Sequence, residues 1–152
     1  MTDGSGAELP RPRRLLTVCK GGHCRAPMAA AVLTEYGGAA VEVRSAALRN
    51  WHIGEGAHPT MVTAAADRGY DLTGHRGVQV SRALLDWANV VLAMDRAVLE
   101  ALGELADEHT APKLRLYLDG RDVPDPWERP AEAFMTCVTV IESGAGPHLV
   151  AK

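Results

Sequence analysis

Apolar positions along the chain alternate between two periods. Leu15-Leu16-Thr17-Val18, Val41 to Ala46, Asn89 to Met94 and Lys113 to Leu118 are short runs, either alternating or continuously apolar, and predict four β-strands. Between them the spacing lengthens to helical. Pro27 to Leu33 predicts a helix opened by proline and ended at Gly37-Gly38, and Pro59 to Arg68 a second one closed by Gly69. Ser81 is placed to cap a short helix running to Trp87. Asp95 is placed to cap a longer one whose inward face is Val98, Leu99, Leu102 and Leu105. Glu132 to about Ser143 predicts a last helix with Phe134, Val138 and Ile141 inward.

Strands that alternate with helices imply an α/β domain, a four-stranded parallel sheet flanked by helices on both faces. The expected layout is a loose N-terminal extension over residues 1–12 and a single domain over 13–152. In such sheets ligands gather at the carboxyl ends of the strands. That directs attention to two loops.

The first is Cys19-Lys20-Gly21-Gly22-His23-Cys24-Arg25, directly after the first strand and before the first helix. Adjacent glycines allow successive backbone amides to turn inward around an oxyanion, and the helix N-terminus adds its positive end. Arg25 supplies a planar fork for two phosphate oxygens. The same positive field favours Cys19 as a thiolate. The segment is therefore expected to form a phosphate-binding loop with a nucleophile beneath the phosphate. Buried small apolar cysteines and a surface arginine are the plainer alternative.

The second loop runs from Asp119 to Pro130 and contains Val123-Pro124-Asp125-Pro126-Trp127. Prolines on both sides of Asp125 restrict its backbone, which suits a general acid that protonates a departing oxygen. Asp122 is the competing carboxylate. Trp51, in the polar connection after the second strand, either lines a pocket or plugs the sheet edge.

Composition narrows the function. A net charge of -3 argues against a general nucleic-acid or membrane-surface binder. The three cysteines lack zinc-ligand spacing, and His52, His58, His75, His109 and His148 form no metal-ligand pattern, so neither metal nor cofactor is expected. No signal peptide or membrane span is legible, and the expected location is the cytoplasm. No Gly-Lys-Ser/Thr follows the glycines, which removes a nucleotide-binding loop.

Together the two loops resemble the low-molecular-weight protein tyrosine phosphatases, with their C-x5-R loop near the N-terminus and Asp-Pro-aromatic loop near the C-terminus. Ser45-Ala46, Trp51-His52-Ile53-Gly54, Gly74-His75-Arg76 and Ala93-Met94-Asp95-Arg96 are similar to that family in order and spacing. The resemblance implies a metal-independent phosphatase that acts through a phosphocysteine on Cys19. Arg25 and the loop from Lys20 through Gly21, Gly22, His23 and Cys24 would bind the phosphate, and Asp125 would serve as acid and then base. It also implies that Trp127, standing where the family usually carries tyrosine, offers a flat wall for an aromatic leaving group, with Trp51 the further candidate for the pocket. By the same resemblance, Cys24 can form a reversible disulfide with Cys19, His75 shapes the interior and Ser45 bonds the loop.

Two departures bear on rate: Gly22 replaces a common asparagine, and Ala26 a common serine or threonine. The lost hydroxyl at Ala26 predicts a slow enzyme. Lys20 and His23 make the entrance more cationic, so the partner is a phosphorylated protein or a small phosphate monoester with a second anion. A phosphate-binding pseudophosphatase is the alternative from another class. A thioredoxin-coupled reductase is disfavoured because Thr73 to Asn89 contains no cysteine, and Cys137 is expected only to pack.

Overall fold

A computed structural model describes residues 11–150. Most of the expected extension, residues 1–10, lies outside the described residues, and Arg11 and Pro12 lead without regular structure into the first strand. The strands are β1 (Arg13–Cys19), β2 (Val41–Ala47), β3 (Val90–Ala93) and β4 (Leu114–Leu116), paired in parallel in the order β2-β1-β3-β4. The helices are α1 (Arg25–Gly37), α2 (Pro59–Asp67), α3 (Arg82–Trp87), α4 (Arg96–Leu105) and α5 (Ala131–Gly144).

Period-two alternation along β1 explains the layering. Leu15 and Cys19 face a core shared with Met28, Leu33, Met61, Phe134 and Ile141, which brings α1, α2 and α5 onto one face. Leu16 and Val18 face Leu85, Val91, Val98 and Leu102, which brings α3 and α4 onto the other. The central strands β1 and β3 therefore end side by side. The loops that follow them, one bearing Cys19 and the other Asp95, are forced together.

The expected elements form with small changes at their ends. Helix α1 begins two residues before Pro27, because proline is tolerated anywhere in a first turn whose N–H groups lack intrahelical partners. Its N-terminus carries no side-chain cap. Strand β4 is three residues long rather than six: a 3-10 turn over Ala111–Lys113 precedes it, and the chain bends at Leu118 into a bridge with Arg121. Ser81 and Asp95 cap α3 and α4 through bonds from the amides of Leu84 and Val98. No described helix is long and apolar enough to cross a membrane.

Candidate active site

The loop from Cys19 to Arg25 wraps the end of β1. Gly22 sits at φ 65°, a left-handed conformation, and its N–H donates to Cys19 Sγ at 3.1 Å. Among the described residues the amides of Gly21, His23 and Cys24 donate to no acceptor, which leaves them available to an anion. The loop is braced from beneath. His75 Nε2 donates to Gly22 O at 3.0 Å, and buried Thr17 donates its hydroxyl to Ala26 O at 2.9 Å. Burial lowers the pKa of His75, so it stays a neutral donor. Ser45 does not take the bracing part expected for it: no bond from its side chain to the loop is present among the described residues.

Gly22 is confined as well as twisted. A Cβ there would stand 2.5 Å from Ala47 Cβ on the neighbouring strand. The asparagine that the family commonly carries at this point is thus excluded by Ala47, not merely absent. Gly22→Asn is expected to destabilise the fold by about 1–3 kcal/mol through overpacking. Adding Ala47→Gly should recover most of that loss, read as the urea midpoint. An unchanged midpoint in the single variant would overturn this account.

Arg25 is the first residue of α1 and only 3 % exposed. Its Nη1 donates to Asp95 Oδ2 at 2.9 Å and to the carbonyl of Val123 at 2.9 Å, while Nη2 lies 3.8 Å from Asp125 Oδ2. Burial would lower the pKa of this guanidinium, but Cys19, Asp125 and Asp95 together outweigh burial and raise it above its ordinary value. One edge of the fork is pinned, and the rest is turned toward the cysteine and the second loop. Sequence reasoning placed Asp95 only as a helix cap. Its other oxygen makes it the anchor of Arg25, a role foreshadowed only by its place at the carboxyl end of the strand beside β1.

The second loop is rooted next to the first. Val123 N–H donates to Met94 O at 2.8 Å, and Asp122 Oδ1 accepts from Arg96 N–H at 2.9 Å. Asp122 is therefore occupied in holding the loop to α4, which separates it from Asp125. Asp125 is about half exposed at the cavity wall, and its Oδ1 accepts from Trp127 N–H at 3.1 Å. Glu128 takes a left-handed φ of 61°, so the turn after Trp127 carries backbone strain.

A cavity of about 280 Å³ joins the two loops, lined by Cys19, Lys20, Gly21, Cys24 and Arg25 on one side and Asp125, Trp127 and Glu128 on the other, with Trp51 and His52 as a third wall. Trp51 thus lines the cavity rather than plugging the sheet edge, and Lys20 Nζ lies 5.4 Å from its ring centre. Gly22 and His23, expected in the same set, do not line it. Gly22 lies behind the sulfur, and His23 lies behind His52, stacked on it with ring centres 3.9 Å apart. A larger, more open cavity of about 750 Å³ runs along the edge strand β4 and contains none of these groups.

All three cysteines are free and buried. Burial, with Cys19 and Asp125 close by, pushes the Cys24 thiol far above its ordinary range, and burial pushes Cys137 up to about 12. Cys137 packs with Phe134 as expected, yet it is near enough to feel Cys19, Arg25 and Asp125. Among the described residues no cluster of His, Cys, Asp or Glu is arranged to hold a metal ion.

A parallel α/β sheet with an amide-lined loop after its first strand, a cysteine at the base and a pinned arginine is the architecture of a cysteine-dependent phosphatase. The family model for low molecular weight phosphotyrosine protein phosphatase matches residues 14–151, and the chain belongs to that family. It is 36% identical to a low molecular weight protein-tyrosine-phosphatase of Streptomyces coelicolor, over 91% of this chain and 92% of the relative. It is 34% identical to the low molecular weight protein-tyrosine-phosphatase Wzb of Escherichia coli K12, over 86% of this chain and 89% of the relative. The solved structure of Vibrio vulnificus Wzb in complex with benzylphosphonate superposes with a TM-score of 0.85 at 26% identity, over 90% of this chain and 97% of that one.

Proposed function

We propose that the protein hydrolyses phosphotyrosine or a closely related aryl phosphate on a protein through a phosphocysteine intermediate. The observation that carries this reading is the convergence of Cys19, Arg25 and Asp125 on one cavity, with Arg25 locked in place by Asp95 and the Val123 carbonyl. In the first step Cys19 sulfur attacks phosphorus and the ester oxygen departs with a proton from Asp125. Meanwhile Arg25 and the loop amides hold the equatorial oxygens as charge redistributes. In the second step Asp125 takes a proton from water as it attacks the phosphocysteine, which frees phosphate and returns the thiolate. Trp51 and Trp127, 56 % and 44 % exposed, form flat walls on which an aromatic leaving group can stack. Lys20 is engaged over Trp51 and His23 is set behind His52, which favours this aromatic substrate over a small metabolite with a second anion. Three free cysteines are consistent with work in a reducing compartment such as the cytoplasm.

Acid quenching during the first turnover of an aryl phosphate should trap phosphate on Cys19, with a burst of leaving group equal to the enzyme present. A linear start with no labelled thiol would refute the covalent route, and tight phosphate binding without turnover would mark a binding module. Ala26→Ser restores a hydroxyl beside the loop. A bond to the sulfur of roughly 1.5–3 kcal/mol corresponds to about a tenfold to hundredfold faster breakdown of the intermediate. Steady-state turnover unchanged by that substitution would show that the missing hydroxyl does not limit the rate.

A further inference from the structure

His23, His52 and His58 converge at the back of the cavity wall, and none of the chemistry above uses them as a group. The rings of His23 and His52 stack at 3.9 Å and 11°, and His58 stands edge-on to His23 at 5.3 Å. All three pack on Trp127, with ring centres 6.0, 5.8 and 5.3 Å away, and His58 also rests on buried Phe134 of α5 at 4.8 Å. Trp127 is the residue whose N–H fixes Asp125 Oδ1. We propose that His23, His52 and His58 are positioning residues that seat Trp127 and thereby hold Asp125 at the leaving group, and that acid unseats the loop by protonating His58. The proposal rests on the reading of Asp125 as the general acid.

One hydrogen bond specifies the charge state of His58. His58 precedes α2, and its Nδ1 accepts from Thr60 N–H at 3.1 Å, so a proton at Nδ1 would set donor against donor. It would also place a positive charge at the positive end of a helix. His23 Nδ1 is buried without a partner, and the backbone N–H of His58 donates to the His23 carbonyl at 2.9 Å, which ties the two together. Glu55 faces the cluster through His52 Nδ1 at 3.0 Å, and Asp125 and Glu128 face it across the cavity. Lys20 and Arg25 line the same cavity and Arg76 lies beside Gly56, so anions and cations offset each other around the rings. Burial first, then His52 and His58, lower the pKa of His23 against the pull of the Gly56 carbonyl and Glu55, and burial first, then His52, lowers that of His58. An unseated imidazole binds its proton more tightly than a seated one, so falling pH favours release.

The test uses the full chain with Trp51→Phe and Trp87→Phe, leaving Trp127 as the sole reporter. As pH falls from 7.5 to 5, Trp127 emission should shift to longer wavelength and become more open to acrylamide. His58→Phe keeps a ring under Trp127 but cannot titrate, and should abolish that transition. His58→Asn keeps the bond to Thr60 without the ring, and should leave Trp127 solvent-exposed at every pH. In the native-tryptophan background, His58→Asn should cut kcat/KM for a phenolic ester with a poor leaving group by about tenfold to a hundredfold. It should cost a nitrophenyl ester far less. Quenching without a wavelength shift, a transition that survives His58→Phe, or equal losses on both esters would overturn the proposal. A His58-dependent transition in a protein whose Asp125 proves dispensable would instead separate the seat, which stands, from the assignment of the acid, which falls.

Discussion

Replacing Cys19 by serine is expected to lower turnover of an aryl phosphate by on the order of 10⁴- to 10⁶-fold, the usual cost of deleting a nucleophile from an assembled site. A hydroxyl is a far poorer nucleophile at neutral pH than a thiolate. The pinned Arg25 and the unpaired loop amides of Gly21, His23 and Cys24 do not depend on sulfur to exist, so phosphate binding should persist. Competition by inorganic phosphate against a reporter anion checks this. Loss of turnover with retained phosphate affinity places Cys19 in the chemistry. Loss of both would mean that the sulfur organises the loop, and the covalent mechanism would need another nucleophile.

The second large effect concerns Asp125. Asp125→Asn is expected to reduce kcat by about 10²- to 10⁴-fold for a substrate whose leaving oxygen needs a proton, and to have little effect when the leaving group departs unaided. The difference between phenolic esters of high and low leaving-group pKa is therefore the informative quantity. Uniform loss across the series would mean that the carboxylate acts through Arg25, 3.8 Å away, rather than on the departing oxygen. Asp122→Asn is the internal comparison: its carboxylate is committed to Arg96 N–H, so that change should affect stability more than leaving-group dependence.

Much of this arrangement was legible in the residues because it is local. Cys19 through Arg25 is one strand-to-helix turn, and the two prolines around Asp125 mark a stiff loop without any tertiary information. The alternation of Leu15, Leu16, Val18 and Cys19 announces a strand buried on both faces, which leads directly to a parallel sheet with two helical layers. The contacts that escaped notice link distant parts of the chain. Asp95 and Arg25 meet because β1 and β3 are neighbours, and strand order is not written in the periodicity of either strand. The imidazole seat escaped for the same reason, since His23, His52 and His58 come from two loops with no regular spacing. In the sequence Gly22 shows only its backbone freedom and the absence of an asparagine side chain. The demand from Ala47 became visible only once the register of β2 against β1 was known.

Asp95 divides its two oxygens between unrelated duties, one ending a helix through Val98 and the other gripping the guanidinium of Arg25. Serine or threonine could take over the first duty but would have no second tooth for the other, and asparagine would bring that tooth without its charge. Thermal tolerance and turnover therefore share a single point of failure there. Libraries sorted for heat resistance and libraries sorted for catalysis should discard the same replacements at this position, so that a residue remote from the substrate would pass for a purely architectural one.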